Sequence, residues 1–269
     1  MTAAHKFPDM TPEETHNTPF FYKRLAEAFE KAKRHCAYDI ESLGKLGEFD
    51  LFFCAPKKID PAKKNILISG GFHGEEPAGS WGIVHFLETA TAEELNSANL
   101  FFMPLVNPTG FNVNRRHNDW DEDPNQGFSG ADGKKPSREG QILVDHLDRL
   151  LKAAADGFLT LHEDSDMKQS YLWTYEDASK PGPVTDGLLK VLGEHFPIFS
   201  GDMPNRGVVV DIKDGIGFNV FDNSFESMLV KLGVPYSATP ETPAHPDMPI
   251  GERVRCQRDV IAAFVKLRK

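Results

Sequence analysis

The chain has 269 residues, 40% of them hydrophobic and 26% charged, with a formal net charge of −10 from 40 acidic against 30 basic residues. That balance supports a sizeable core and excludes the positive footprint that a nucleic-acid or anionic-membrane partner requires. Cys36, Cys54 and Cys256 are too few and scattered for a disulfide framework or a cysteine-based zinc site, and with no apolar leader segment and no membrane-length stretch the expectation is a cytoplasmic protein.

In chain order, residues 1–17 read as an N-terminal arm, poorly ordered or laid along the surface, with Pro8, Pro12 and several charges. Thr18-Pro19 predicts an N-cap and first helical position, and Phe21, Leu25, Ala28, Phe29 and Ala32 recur behind it at helical spacing. Two β-rich runs, 38–42 and 48–55, broken by Gly44 and Gly47, predict a hairpin. The apolar run 65–69 predicts a buried strand. Pro77 then opens a helix to Glu88, in which Gly79 and Gly82 admit close approach of a neighbouring element. Thr91 to Glu94 has the form of a capping box, 99–104 is a second apolar strand, and Asn107-Pro108-Thr109-Gly110 turns out of it. Residues 111–136 are polar and without periodicity, a length that in a compact chain goes with function or disorder.

Ser137 starts a helix with Ile142, Leu143, Leu147, Leu150 and Leu151 on one side, and the strand 157–161 leads straight into His162-Glu163-Asp164. Pro183 to Phe196 reads as helix, and 197–222 as Gly-rich and irregular. Asn223 caps a helix ending at Gly233, the strand 234–239 follows with Glu241 just past its end, and 250–268 is a terminal helix. Strands alternating with helices, with special polar residues at strand ends, predict an α/β fold. We read one domain over residues 1–269, a mixed, largely parallel twisted sheet flanked by helices, with its site along one edge.

The chemistry gathers at three of those strand ends. His73 and Glu76 lie three positions apart where strand hands over to helix, His162 follows the strand 157–161, and Glu241 follows 234–239. Two imidazoles and a carboxylate make a zinc triad with a fourth position open, and a second carboxylate can serve as base toward metal-bound water. Taken singly, a histidine or glutamate at a strand end is an ordinary cap or surface residue. The conjunction after buried-type strands points to catalysis.

With these residues in hand, the sequence resembles the M14 family of zinc carboxypeptidases, which includes the aspartoacylase and succinylglutamate desuccinylase branch. The matching motifs are Gly70-Gly71-Phe72-His73-Gly74-Glu75-Glu76-Pro77, Asn107-Pro108-Thr109-Gly110-Phe111, Leu161-His162 and Pro240-Glu241, in the family's own order. The resemblance implies one Zn2+ per chain on His73, Glu76 and His162, with Glu241 moving the proton from metal-bound water to the leaving amine. Laid without gaps on Asn107 to Phe128, the family pattern puts its oxyanion arginine on Arg116, with Arg115 adjacent as the alternative. It also aligns Asp123, Asn125 and Phe128 with the family's Asp-x-Asn-Arg-x-Phe segment.

The chain departs from that pattern where the family's Asn-Arg pair holds a terminal carboxylate: here it reads Asn125-Gln126, and glutamine lacks the charged fork of arginine. Phe218 and Phe221 stand where the family has a substrate-side tyrosine. Arg115, Asn125 and Gln126 are therefore the candidate substrate contacts, His117 and His245 flank the site as further candidates, and Arg138 or Arg206 could restore a carboxylate clamp. Asp119, Asp121, Asp123 and Asn125 imitate a calcium loop, but Pro124 occupies the position that needs glycine and Gly130 the one that needs glutamate. The implied function is carboxypeptidase-type, zinc-dependent hydrolysis of a peptide or amide bond. The alternatives are an N-acyl amino acid deacylase and a metal-containing binder without catalysis.

Overall fold

The computed structural model describes residues 7–8, 10–130, 133–205 and 208–268. In chain order the elements are α1 (Pro12–Thr15), α2 (Thr18–Ala32), β1 (Tyr38–Leu46), β2 (Phe49–Pro56), β3 (Asn65–Gly70), α3 (Pro77–Thr89), α4 (Ala92–Asn96), β4 (Asn99–Met103), α5 (Pro108–Asn112), α6 (Arg138–Asp145) and α7 (Leu147–Ala153). They continue with β5 (Gly157–Asp164), β6 (Tyr171–Glu176), α8 (Pro183–His195), β7 (Gly201–Asn205), β8 (Val208–Ile212), β9 (Ile216–Phe218), α9 (Phe225–Lys231), β10 (Tyr236–Pro243) and α10 (Ile250–Arg268). Among these residues no helix is long and apolar enough to cross a membrane.

Eight strands form one sheet in the order β1-β2-β4-β3-β5-β10-β6-β9, with β4, β3, β5 and β10 parallel and the β1–β2 hairpin antiparallel at the edge. Successive side chains on the central strands alternate between two apolar layers. Ile66, Ile68, Leu100, Phe102, Leu159 and Leu161 meet residues of α2, α3, α8 and α10, whereas Leu67, Phe101 and Phe158 meet residues of α6, α7 and α9. Burial on both faces is why these strands read as continuous apolar runs. Each such side chain removed from water contributes about 1.5–3 kcal/mol.

The order of the strands places the site. From β3 the chain crosses through α3 on one face to β4, then returns through α6 and α7 on the other face to β5, on the opposite side of β3. The direction of winding therefore reverses around β3, and a crevice opens beyond the carboxyl ends of its neighbours. A Cβ on Gly79 would lie 2.7 Å from the carbonyl oxygen of Leu161, and one on Gly82 would lie 2.6 Å from Cβ of Gln257. Hydrogen at those positions is what seats α3 directly on β5 and α10.

Several boundaries differ from the sequence reading. The arm is anchored: Phe7 is buried against Trp81 and His85, and Thr11 caps α1; residues 1–6 and 9 of the arm lie outside the described residues. Asn17, rather than Thr18, caps α2, which frees the Thr18 hydroxyl to donate to the carbonyl of Pro108 at 2.7 Å. The helix from Ser137 breaks at His146, whose Nε2 lies 3.0 Å from the carbonyl of Leu43. Strand β6 lies in a stretch for which the sequence reading made no assignment, the short strands β7, β8 and β9 lie in chain read as irregular, and Ser224 rather than Asn223 caps α9.

Candidate active site

The turn after β3 puts two donors at the crevice. Glu76 stands at the N-cap of α3, yet its side chain makes no capping bond. Cap duty falls to Glu163, whose Oε2 accepts from the Ala78 N–H at 2.6 Å while Oε1 pairs with Arg253 at 2.7 Å. Glu76 is thus free to turn toward the histidines. Its Oε1 lies 2.6 Å from Nδ1 of His73 and its Oε2 lies 2.8 Å from Nδ1 of His162. All three residues are buried. Burial works against an ionised Glu76, but the two imidazoles overcome it and hold the carboxyl well below its usual range. Burial likewise opposes a charged His162, and Glu76 and Glu226 push its pKa the other way, well up.

Among the described residues, His73, Glu76 and His162 form the cluster suited to an ion, with ligand atoms all within 4.8 Å of one another. Bonds of about 2.0–2.2 Å to a central ion call for a donor spacing of that order. The outer nitrogens fit the same reading. Nε2 of each histidine is buried without a hydrogen-bond partner, and each faces a carboxylate: Asp123 at 3.4 Å from His73, Glu226 at 3.6 Å from His162. Metal-ligating histidines usually turn their second nitrogen to such a group.

Register brings in the fourth residue. Glu241 lies inside β10 rather than beyond it, level with His162 on β5 and Tyr171 on β6, so the three side chains share one face of the sheet. Burial raises the Glu241 carboxyl well above its ordinary value; His162 opposes this, Glu76 and Asp164 add to it, and Arg116 opposes it. Tyr171 is buried, and its hydroxyl donates to Asp164 at 2.8 Å.

Arg116 reaches the crevice through the turn after β4. Asn107 caps α5 with its Oδ1 and donates from Nδ2 to the Arg116 carbonyl at 3.0 Å, and the Gly74 N–H donates to the same carbonyl at 3.3 Å. The Arg116 guanidinium then meets Glu76 at 3.3 Å and Glu75 at 3.4 Å. Gly74 permits this approach, because a Cβ there would fall 2.1 Å from the carbonyl carbon of Gly110 and 2.4 Å from the carbonyl oxygen of Arg115. Gly74→Ala is therefore expected to destabilise the fold by at least about 1–3 kcal/mol, the usual cost of overpacking. A chemical-denaturation midpoint unchanged from wild type would contradict it.

His73, Glu76, Arg116, Asn125, His162 and Glu241 line one cavity of about 430 Å3, walled on the β6 side by Tyr171, Trp173 and Tyr175. The succinylglutamate desuccinylase/aspartoacylase catalytic-domain model matches residues 62–181, a span that holds the three donors and Arg116 but stops short of Glu241. A solved structure of a candidate metallopeptidase from Shewanella baltica OS155 is 34% identical, with all of both chains covered and a TM-score of 0.87. The chain belongs to the M14-like metallopeptidase family, related to its aspartoacylase branch.

A second structure in this M14-like family, a candidate metallopeptidase from Shewanella amazonensis SB2B, is 36% identical over 98% of this chain and 99% of that one, with a TM-score of 0.88. Bovine thrombin-activatable fibrinolysis inhibitor, solved with a tick carboxypeptidase inhibitor, shares the fold at 16% identity, covering 93% and 95% of the two chains with a TM-score of 0.65. No curated protein matches the sequence.

Set in the M14-like fold, the other sequence candidates separate. Arg115 turns away from the cavity, donating to the Asn118 carbonyl and pairing with Asp119 at 3.3 Å, and Gln126 is not among the lining residues. Asn125 lines the cavity, but its amide is engaged: Nδ2 donates to both oxygens of Glu226 at 3.2 and 3.1 Å, and Oδ1 accepts from the Phe225 N–H at 2.9 Å. Arg138 pairs with Glu122 and stacks on Trp120, and Arg206 lies outside the described residues. His117 and His245 pair with Asp121 and Asp247 and do not line the cavity. Sequence reasoning missed Glu226 and Tyr171.

Proposed function

We propose that the chain is a zinc-dependent hydrolase of a peptide or amide bond, acting as one catalytic unit with one zinc per chain. The observation that carries this reading is the convergence of His73, Glu76 and His162 on one point, with Glu241 beside them at the same level of the sheet. His73 and His162 would bind through Nδ1 and Glu76 through its carboxylate. When bound, zinc supplies Lewis acidity, polarising the scissile carbonyl and acidifying water at the site.

The remaining work belongs to the chain's own side chains. Glu241 takes a proton from the attacking water as its oxygen adds to the carbonyl carbon, and delivers that proton to the leaving nitrogen as the C–N bond breaks. Arg116, whose guanidinium lies beside Glu76 at the cavity, meets the negative charge that develops on the carbonyl oxygen. Tyr171, Trp173 and Tyr175 give the substrate an aromatic wall.

Among the described candidates for a carboxylate clamp, neither Arg115 nor Arg138 is free to hold a terminal carboxylate, and the Asn125 amide is already taken. We therefore place recognition in the amide and its side chains rather than in a carboxylate clamp. A second reading, deacylation of an N-acylated amino acid, is favoured by the family model that matches residues 62–181. The test is hydrolysis of matched peptides with free and amidated C-termini alongside N-acyl amino acids. Amide cleavage that is lost on chelation, returns with zinc, and differs less than about tenfold between free and amidated ends supports the leading reading. Cleavage confined to N-acyl amino acids supports the second, and none across the panel sinks both.

A further inference from the structure

The least expected feature near the three donors is a buried glutamate. Glu226 is 2% exposed, in the first turn of α9. Its neighbour Phe225 anchors that turn in the core, with ring centroids 5.8 Å from Phe72, 5.6 Å from Phe158 and 5.2 Å from Phe128. Leaving a carboxylate there is costly unless it is held by donors. Asn125 supplies one hold, giving Nδ2 to both carboxylate oxygens. Asn125 is fixed in turn: its side-chain oxygen accepts from the Phe225 N–H, and its own N–H donates to Asp123 Oδ1 at 2.9 Å.

What remains in front of Glu226 is His162. Nδ1 of that ring faces Glu76, and Nε2 is buried, without a hydrogen bond, 3.6 Å from Glu226 Oε1. A neutral imidazole that offers Nδ1 to a metal carries its proton on Nε2, and that proton needs an acceptor. A separation of 3.6 Å is a charge contact rather than a hydrogen bond, but a small rotation of either side chain closes it. His73 repeats the arrangement, with Nδ1 toward Glu76 and Nε2 toward Asp123.

We propose that Glu226, braced by Asn125, is a positioning residue for the metal site: it accepts the Nε2 proton of His162 and so fixes the tautomer that leaves Nδ1 for the metal. This rests on His73, Glu76 and His162 being the metal ligands. It also gives Asn125 a task other than substrate binding.

The test is zinc affinity, measured by competition with a chromophoric chelator, together with the visible spectrum of the cobalt(II)-loaded protein. Glu226→Ala, which removes the acceptor, is expected to weaken zinc binding by about 10–100-fold, the usual effect of losing such a partner. Glu226→Gln, which matches the shape and keeps a neutral acceptor, should fall between Ala and wild type, and Asn125→Ala should shift affinity in the same direction. A mere packing role would leave Gln at the wild-type value. If the alanine variant does not fold, the Gln and Asn125 variants decide. Affinities within about twofold of wild type and an unchanged cobalt spectrum in those variants overturn the role of Glu226. A wild-type protein that binds no zinc overturns the ligand assignment on which it rests.

Discussion

Glu241→Gln is expected to lower kcat by about 10³-fold while leaving zinc bound. Positioned proton transfer contributes roughly 10²–10⁴-fold in enzymes, and Glu241 is the carboxylate level with His162 that makes no contribution to the donor cluster. Glutamine keeps its shape, so packing between β5 and β6 is preserved, but it can neither take nor return a proton. The environment suits a base that cycles between two states. Burial pushes the carboxyl up, with Glu76 and Asp164 on the same side and His162 and Arg116 opposing, and a dication at the three ligands adds to the opposing side. Steady-state rates with zinc content measured on the same samples check this. Full activity in the glutamine variant, or loss of zinc from it, would contradict the role.

His162→Ala is expected to abolish zinc binding and lower turnover by at least about 10³-fold, since Lewis-acid stabilisation is worth several kcal/mol of barrier. Its position explains why no neighbour can substitute. The ring is buried at the end of β5, with one nitrogen on Glu76 and the other toward Glu226, and its backbone carbonyl accepts from Gln257 at 2.8 Å. Removing the ring also leaves the buried Glu76 carboxylate with one imidazole beside it instead of two. Some loss of folding stability should therefore accompany the loss of metal.

The donors were legible in the sequence because each follows a strand whose burial on both faces writes it as an apolar run. The run 65–69 before His73 and the run 157–161 before His162 are of this kind. The close-packing role of Gly79 and Gly82 was legible for a similar reason: a helix carrying two such gaps must seat something. Glu241 was read one step outside its strand because Pro240 and Pro243 look like a stop, whereas pairing with β5 continues through Pro243 ↔ Asp164. Strand β6 was not read, since what makes it a strand is β10 beside it, a partner 60-odd residues away in sequence. Glu226 gave no signal, because a glutamate in a helix's first turn is what ordinary helix electrostatics places there. Arg115 and Gln126 were drawn toward the site by an ungapped alignment that fixes positions along the chain but not the side of the turn each residue faces.

Zinc stoichiometry decides whether His73, Glu76 and His162 hold the metal on which hydrolysis depends. Wild type, Glu241→Gln and His162→Ala would be stripped with chelator, reloaded at equal free zinc and measured by elemental mass spectrometry. One zinc per chain in the first two and none in the third is the predicted result. Equal zinc in all three, or none in the wild type, would contradict it.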